Sequence, residues 1–578
     1  MEPVAIIGMG CRFPGGENPS SFWSLLRNGG DAIAPVPSDR WDIDRFYHPE
    51  PGTPGKMITR WGGFLKQVNR FDANFFGISL EEAQRIDPQQ KLMLEVAWEA
   101  LEDAGVVPAK LSGTSTGVFL GISKSDHNRV LYQDLAQISA TSIPDSNPSI
   151  VANRLSFFLQ VQGPSMAIDT TCSSALVALH LACQSLQSGE SELAIVGGIS
   201  LNLVPEDFIC LSLAGLISPD GRCKTFDARA NGYGRGEGCG VVVVKLLREA
   251  IANRDNILAV IRGSAVNQNG LSNGFTAPNG LAQQALISKA LANAGVSADR
   301  ISYVETHGTG TPLGDAIEVK SLKAKLKSDR PCWLGSVKTN IGHLEAAAGV
   351  ASLIKTVLSL QNQEIPAHLH FQQLHPYISL KGTNLAIPTE LQPWSQEREP
   401  RLAGVSSFGS GGTNAHIILE SAPENPDLRS NNESQLLTLS AKTEPALREL
   451  ARRYQRFIQD NPNNSLADIC FTANTGRSLF NYRLAAIADS KEQLAIQLGD
   501  FANAKETTGV MTGKAIGQKG AEILNLTSNR QNWSTIAQLY VNGGSINWSE
   551  FYQENPSHRL QLPTYPFQRQ KCSLHNNE

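Results

Sequence analysis

Ten short apolar runs alternate with helical patterns between residue 4 and about residue 420, and this alternation constrains the fold more than any other feature. The runs are Val4–Gly8, Gly117–Gly121, Ser165–Asp169, Leu193–Val196, Gly240–Leu246, Leu258–Arg262, Ile301–Glu305, Trp333–Val337, Ala403–Ser406 and Ala415–Leu419. Their lengths suit buried strands. Helical patterns lie at Glu81–Ala104, Ser173–Ser188, Gly280–Ala294, Asp315–Lys325 and His343–Leu360. Strands alternating with helices predict an α/β protein of layered sheets and helices.

Composition removes several classes of function. A formal net charge of −4 and a pI near 6.3 argue against a nucleic-acid binder. No apolar run is long enough for a membrane span, and the start MEPVAIIGMG does not look like a signal peptide. The nine cysteines are scattered, with no CxxC pair, and read as reduced thiols of a cytoplasmic protein. No short-period repeat is evident.

The chain changes character after residue 420. Ser421–Asn432 is polar and proline-bearing, as a linker would be. A second unit follows, with an apolar run at Leu436–Leu439 and a helical pattern at Glu444–Asp460. Residues 502–535 are weakly patterned. The last segment ends in Leu562-Pro563-Thr564-Tyr565-Pro566-Phe567, whose two prolines exclude a helix and predict an extended segment packed on another surface.

Three glycine-rich stretches are decoys. Gly8-Met9-Gly10 follows a strand, but Phe13 occupies the place of the third glycine of a dinucleotide fingerprint. Gly113–Gly117 and Gly270–Gly274 match GxSxG but lack the strand-before, helix-after context of a nucleophile elbow, so both read as turns.

The strongest chemical signal is Asp169-Thr170-Thr171-Cys172-Ser173-Ser174 between an apolar strand and a helix. Cys172 is placed at a helix N-terminus, where the dipole is expected to lower the thiol pKa. A thiolate beside a backbone N–H suits acyl transfer. His307 and His343 each follow a strand in a Gly/Thr-rich or Lys-bearing loop, and Lys338 precedes His343 by five residues. In open α/β sheets the carboxyl ends of strands are where ligands bind. One cysteine and two histidines could also hold zinc, but no pair has ligand spacing and no fourth ligand is apparent, so no metal is expected.

These stretches resemble the ketosynthase (beta-ketoacyl synthase) domain of modular type I polyketide synthases, among the thiolase-like condensing enzymes. The resemblance covers about residues 2–425. It rests on VAIIGMGCRFPGG (4–16), IDPQQKLMLEVAWEALEDAG (86–105), DTTCSSALVA (169–178), KTFDARANGYGRGEG (224–238), ETHGTGTPLGD (305–315), GSVKTNIGHLEAAAG (335–349) and GVSSFGSGGTNAH (404–416). It implies a thiolase-like five-layered αβαβα fold with a small α/β linker domain. Cys172 would be the acyl-carrying nucleophile. His307 and His343 would promote decarboxylation of a malonyl-type extender and stabilise the enolate, with Lys338 supporting them. Thr309 and Thr311 would contact the phosphopantetheine arm, and the backbone N–H groups of Cys172 and Ser410 would form an oxyanion hole.

The sequence departs from the family in places. Ser410 stands where many relatives carry phenylalanine, Asn231 and Asn269 replace common aspartates, and Ala175 replaces a serine. Glu345 is a candidate partner for Lys338.

The rest of the chain resembles the surroundings of an acyltransferase. Residues 426–505 resemble the linker between ketosynthase and acyltransferase, through Leu439-Ser440-Ala441-Lys442, Gly476-Arg477 and Arg483. Residues 536–578 resemble the segment that follows the acyltransferase, through Leu539–Gly543, Trp548 and LPTYPFQRQ (562–570). Residues 506–535 are a residual connector where the acyltransferase would stand, and neither GQGSQ nor GHSxGE occurs. The expected activity is therefore decarboxylative condensation with an extender on an acyl carrier protein supplied in trans and loaded by a separate acyltransferase. No cofactor is bound beyond the carrier's 4'-phosphopantetheine. A homodimer is implied, with no nucleic-acid or membrane partner. A non-elongating or scaffold ketosynthase, or a transferase forming an ester or amide, is the alternative.

Overall fold

The computed structural model describes residues 2–133, 135–138, 140, 142–394, 400–424, 434–515, 523–525, 532–554 and 557–572. All ten apolar runs are strands of a single 11-stranded sheet. They are β1 (Val4–Arg12), β2 (Gly117–Gly121), β3 (Ser165–Ile168), β4 (Ala194–Ser200), β5 (Gly238–Leu246), β6 (Ala259–Gln268), β7 (Tyr303–Glu305), β8 (Cys332–Gly335), β10 (Leu402–Phe408) and β11 (Thr413–Ser421). The eleventh, β9 (Leu385–Ala386), is a two-residue edge strand beside β8.

The order β9-β8-β7-β10-β11-β6-β1-β5-β4-β2-β3 contains one pattern twice. In the first half β2 pairs in parallel with β3 and β4, β4 pairs antiparallel with β5, and β5 pairs antiparallel with β1. In the second, β7 pairs in parallel with β8 and β10, β10 pairs antiparallel with β11, and β11 pairs antiparallel with β6. The antiparallel β1/β6 pair joins them. This repeat lies in strand connectivity, so neither composition nor short-period sequence similarity reveals it.

Burial explains the layering. Alternate residues of a strand face opposite sides, and the valine run of β5 divides accordingly. Val241 and Val243 enter a core with α1 (Pro88–Asp103), while Val242 and Val244 enter one with α2 (Ser174–Gln187) and α5 (Ala348–Asn362). That second core also takes Tyr303, Ala403, Val405 and Ile417 from the other half. Val304, Leu334 and Ile418 turn outward to a third core with α3 (Gly280–Ala294) and α4 (Pro312–Lys325). The sequence of layers is thus α1, first half-sheet, α2 with α5, second half-sheet, α3 with α4. Residues 348–360 of α5 are all buried, as a helix between two sheets must be.

Two expected helices are divided. The Glu81–Ala104 pattern is Leu80–Arg85 and then α1, because Asp87 caps the second helix and Pro88 opens it. The His343–Leu360 pattern begins its helix only at Ala348, because Glu345 has φ +49 and cannot continue one. The glycines of β1 serve packing: a Cβ on Gly8 would lie 2.5 Å from the Ala100 carbonyl oxygen of α1.

Residues 435–441 form β12 (Gln435–Ala441), which pairs with β13 (Tyr482–Ala488), and β13 pairs with β14 (Val510–Lys514). The third strand therefore falls inside the stretch read as a residual connector. Its pattern, VMTGK, is half-exposed and lacks apolar alternation. Residues 516–522 and 526–531 of that connector, residues 425–432 of the linker and residues 573–578 lie outside the described residues. Ile523–Asn525 pairs in parallel with Ser545–Asn547.

The last described segment binds both units. Gln570–Lys571 pairs antiparallel with Arg70–Phe71. Tyr565 and Phe567 stack around Phe75, with ring centroids 4.5 and 4.9 Å away. The Tyr565 N–H donates to Glu102 at 2.7 Å, Arg569 meets Glu95 at 2.7 Å, and Lys91 Nζ donates to the Cys572 carbonyl at 2.9 Å. Glu95, Glu102 and Lys91 all belong to α1. Among the described residues no helix is long and apolar enough to cross a membrane.

Candidate active site

Cys172 occupies a single 3-10 turn, Thr171–Ser173, between β3 and α2. Asp169 accepts the Thr171 N–H at 2.9 Å, and Thr171 takes φ +57. A non-glycine residue there costs about 1–2 kcal/mol. The second half of the sheet holds the turn: Ser407 Oγ donates to the Cys172 carbonyl at 2.7 Å. A Cβ on Gly409 would lie 2.3 Å from the Thr170 carbonyl oxygen, so only glycine lets the β10–β11 loop approach this closely. Hydrogen bonding from the backbone N–H groups of Cys172 and Ser410 favours the thiolate of Cys172. The Ser410 side chain itself is exposed.

The thiol differs from the sequence expectation. Burial, helped by the Glu345 charge, pushes its pKa up to about 11, against smaller opposing effects of Lys338 and the two N–H groups. Desolvation outweighs Lys338 and the two N–H groups and favours the neutral thiol near neutral pH.

His307 follows β7. Its N–H and that of Gly308 donate to the two oxygens of Glu318, at 2.8 and 2.9 Å. The ring stands 5.5 Å from the His343 ring and 5.5 Å from Phe408. Burial, then Lys338, then His343 hold the His307 pKa well below the usual imidazole range. His343 is buried, and burial with Lys338 lowers its pKa to about 3. Its Nδ1 accepts the Glu345 N–H at 3.1 Å. An amide can only donate, so neutral His343 carries its proton on Nε2.

Lys338 is buried between these groups, and its Nζ has no hydrogen-bond partner among the described residues. Burial lowers its pKa, while Glu305, Cys223, Glu318 and Cys172 favour its charge. Lys338 acts electrostatically on Cys172, His307 and His343, which places all four groups in one site. The Thr309 and Thr311 hydroxyls lie 3.0 Å apart in the loop after His307.

Glu345 does not pair with Lys338. Its carboxylate meets Arg235 at 2.7 and 2.9 Å and Lys124 at 3.1 Å, which holds its pKa well below the carboxylate range despite burial. Asn231 accepts from Ser218 at 2.9 Å and Asn269 from Asn414 at 2.8 Å, so both amides are used as acceptors.

Sequence reasoning missed the groups that hold the site. Asp315 accepts from Phe226 and Gly310 N–H groups at 2.8 and 3.2 Å. Burial pushes Asp315 and Glu318 up to about 7. Their three-residue spacing on the first turns of α4 was the available signal. Glu305 accepts from Val337 N–H at 2.6 Å and pairs with Lys355 at 2.8 Å, tying the two histidine loops together. Among the described residues no group of three or more His, Cys, Asp or Glu could hold a metal.

Comparison with known proteins gives a consistent set of relatives. The family model "Beta-ketoacyl synthase, N-terminal domain" matches residues 1–250 and "Beta-ketoacyl synthase, C-terminal domain" matches residues 258–372. "CurL-like, PKS C-terminal" matches residues 435–498. One component of the phenolphthiocerol/phthiocerol polyketide synthase from Mycobacterium tuberculosis is 45% identical over 547 residues, covering 93% of this chain and 30% of that protein. Polyketide synthase GfsB of Streptomyces halstedii is 44% identical over 527 residues, covering 89% of this chain and 10% of that protein. The chain thus spans less than a third of the length of these curated relatives. Among solved structures, the ketosynthase from module 6 of the Bacillus subtilis bacillaene synthase is 36% identical with a TM-score of 0.89, covering 99% of this chain and 100% of that one. The oxazolomycin ketosynthase domain of Streptomyces albus is 37% identical with a TM-score of 0.92, covering 99% of each.

Proposed function

The chain belongs to the ketosynthase (beta-ketoacyl synthase) family of polyketide synthases, an acyltransferase class of enzyme, and from that premise we propose how its residues divide the work. Cys172 takes the acyl group from an incoming thioester. Its thiol hydrogen leaves with the departing pantetheine sulfur, so the transfer begins from a neutral thiol and neutral imidazoles. This is the protonation state that burial favours here. The carbonyl oxygen of the tetrahedral intermediate faces the N–H groups of Cys172 and Ser410.

In the second step a malonyl-type thioester loses carbon dioxide. The electrons of the broken C–C bond pass to the thioester enolate, whose oxygen accepts from His343 Nε2–H and from His307. The enolate carbon then attacks the acyl carbonyl, and the bond to the Cys172 sulfur breaks. A proton taken up by that sulfur restores the thiol. Lys338 places a positive charge beside the developing anion. Thr309 and Thr311 supply hydroxyls for the phosphopantetheine arm.

The observation that carries this reading is the convergence of one thiol, two neutral imidazoles and one buried ammonium without a hydrogen-bond partner among the described residues. A carrier protein in trans presents the extender, and a separate acyltransferase loads it. The missing GQGSQ and GHSxGE motifs between the CurL-like region and the closing segment support this. The division into residues 1–425, 426–505, 506–535 and 536–578 follows the same reasoning, with the connector shortened by β14. A homodimer is supported by the exposed Met166 (39%) on the edge strand β3 and the exposed Phe157 (85%) on the helix Pro148–Leu159 that precedes it. Nine free thiols suit the cytoplasm.

The test offers the purified protein an acyl thioester with malonyl carrier protein, and separately malonyl-CoA alone. The proposal predicts a carrier-bound β-ketoacyl product in the first mixture and no malonyl-protein in the second. Self-loading from malonyl-CoA would refute the separate acyltransferase. An ester or amide product would refute condensation.

A further inference from the structure

His343 sits in a clamp that reaches from one half of the sheet to the other. Its N–H donates to the Gly234 carbonyl at 2.7 Å, and its own carbonyl accepts the Gly236 N–H at 2.9 Å. The residue between those two is Arg235, a fully buried cation whose guanidinium lies 4.6 Å from the Phe208 ring centroid. Arg235 returns as a side chain two residues beyond His343, gripping both oxygens of Glu345 at 2.7 and 2.9 Å. Lys124, on the loop after β2, meets the same carboxylate at 3.1 Å, and both cations also face Asp207. Glu345 is held at φ +49, and in that conformation its N–H points at His343 Nδ1.

We infer that Arg235, acting through Glu345 and assisted by Lys124, is a positioning residue that keeps His343 in the Nε2–H form and so keeps a hydrogen-bond donor turned toward the enolate. This rests on the reading of His343 as an enolate-stabilising group. A left-handed glutamate is strained, and its buried, bidentate anchor helps hold it in that conformation. With the anchor removed, the backbone can relax to right-handed φ. The N–H then leaves Nδ1, and the two neutral tautomers of the imidazole become comparable. The clamp makes no contact with the thiol or the Ser410 N–H, and the Glu345 charge only raises the thiol pKa, so removing that charge does not weaken acyl transfer to Cys172.

The experiment labels histidine with 15N and 13C and reads the ring tautomer of His343, assigned with His343→Gln, in wild type and Glu345→Gln. Acylation of Cys172 and decarboxylation of a malonyl thioester are measured on the same samples. Wild type should show only Nε2–H. Glu345→Gln should show a mixture, with decarboxylation about tenfold slower and acylation slowed by no more than about twofold. If Glu345→Gln does not fold, Arg235→Lys is read in the same way. A single Nε2–H form in a folded variant overturns the inference, and so does a tautomer mixture with unchanged decarboxylation. If wild type is never acylated at Cys172, the functional reading fails while the tautomer result still stands.

Discussion

The two halves of the large sheet carry the same turn in the same place. After β3 the chain makes the turn Thr171–Ser173 and enters α2; after β8, beyond Lys338–His343, it makes the turn Glu345–Ala347 and enters α5. The first residue of each turn is left-handed, at φ +57 and +49. The third residues, Ser173 and Ala347, share φ −89 and ψ −3. Cys172 therefore corresponds to Ala346. On the proposed reading, the scaffold builds two equivalent places for a nucleophile and furnishes only one, with Cys172. The other half contributes the imidazoles and the ammonium. Each turn is also held by the opposite half: Ser407 and Gly409 hold the first, while Arg235, Lys124 and the close approach of Gly198 hold the second.

Exchanging the residues at the centres of the two turns strikes at this equivalence directly. Cys172→Ala should abolish acylation. Adding Ala346→Cys should leave the double variant without acyl-enzyme, because the N–H of Ser410 and the histidines are not arranged around that position. Peptide mass spectrometry checks this, and acylation at residue 346 would show that the turn alone suffices. Next in size, His343→Ala should slow malonyl decarboxylation about 10²–10³-fold while acylation of Cys172 changes only a few-fold, since it removes one donor to a developing oxyanion. A separate assay of each half-reaction decides; equal losses in both would contradict the division of labour.

Gly409→Ala tests the bond between halves rather than the chemistry. Its methyl would meet backbone at 2.3 Å, and it should lower stability by about 1–3 kcal/mol and slow acylation through displacement of the Ser410 N–H. Denaturant unfolding with acylation kinetics measures both. The smallest effect is in pH. With a thiol pKa near 11, alkylation of Cys172 by iodoacetamide should keep rising from about pH 7 through about pH 10, with no plateau near 9. The sign follows from burial, which favours the neutral thiol. His343, lowered to about 3, should remain neutral through about pH 5, so decarboxylation should show no limb near 6.5.

Much of this was legible in the sequence. The core strands are continuous apolar runs buried on both faces, and such runs are easy to see. β9 was missed because two residues carry no pattern, and β14 because its half-exposed residues do not alternate. Cys172, His307, His343 and Lys338 were legible from their motifs as candidate residues. What holds them was not. Arg235 and Glu345 are 110 residues apart, and Glu318 bonds backbone N–H groups rather than a side chain. The upward push on the thiol pKa was not legible, because the extent of desolvation cannot be seen in a sequence.

If one of two matched turns carries the acyl group, intact-protein and peptide mass spectrometry after exposure to an acyl-N-acetylcysteamine thioester will show it most directly. The predicted result is a single acyl adduct on the peptide containing Cys172, absent from Cys172→Ala. No adduct, or an adduct on another of the nine cysteines, would contradict it.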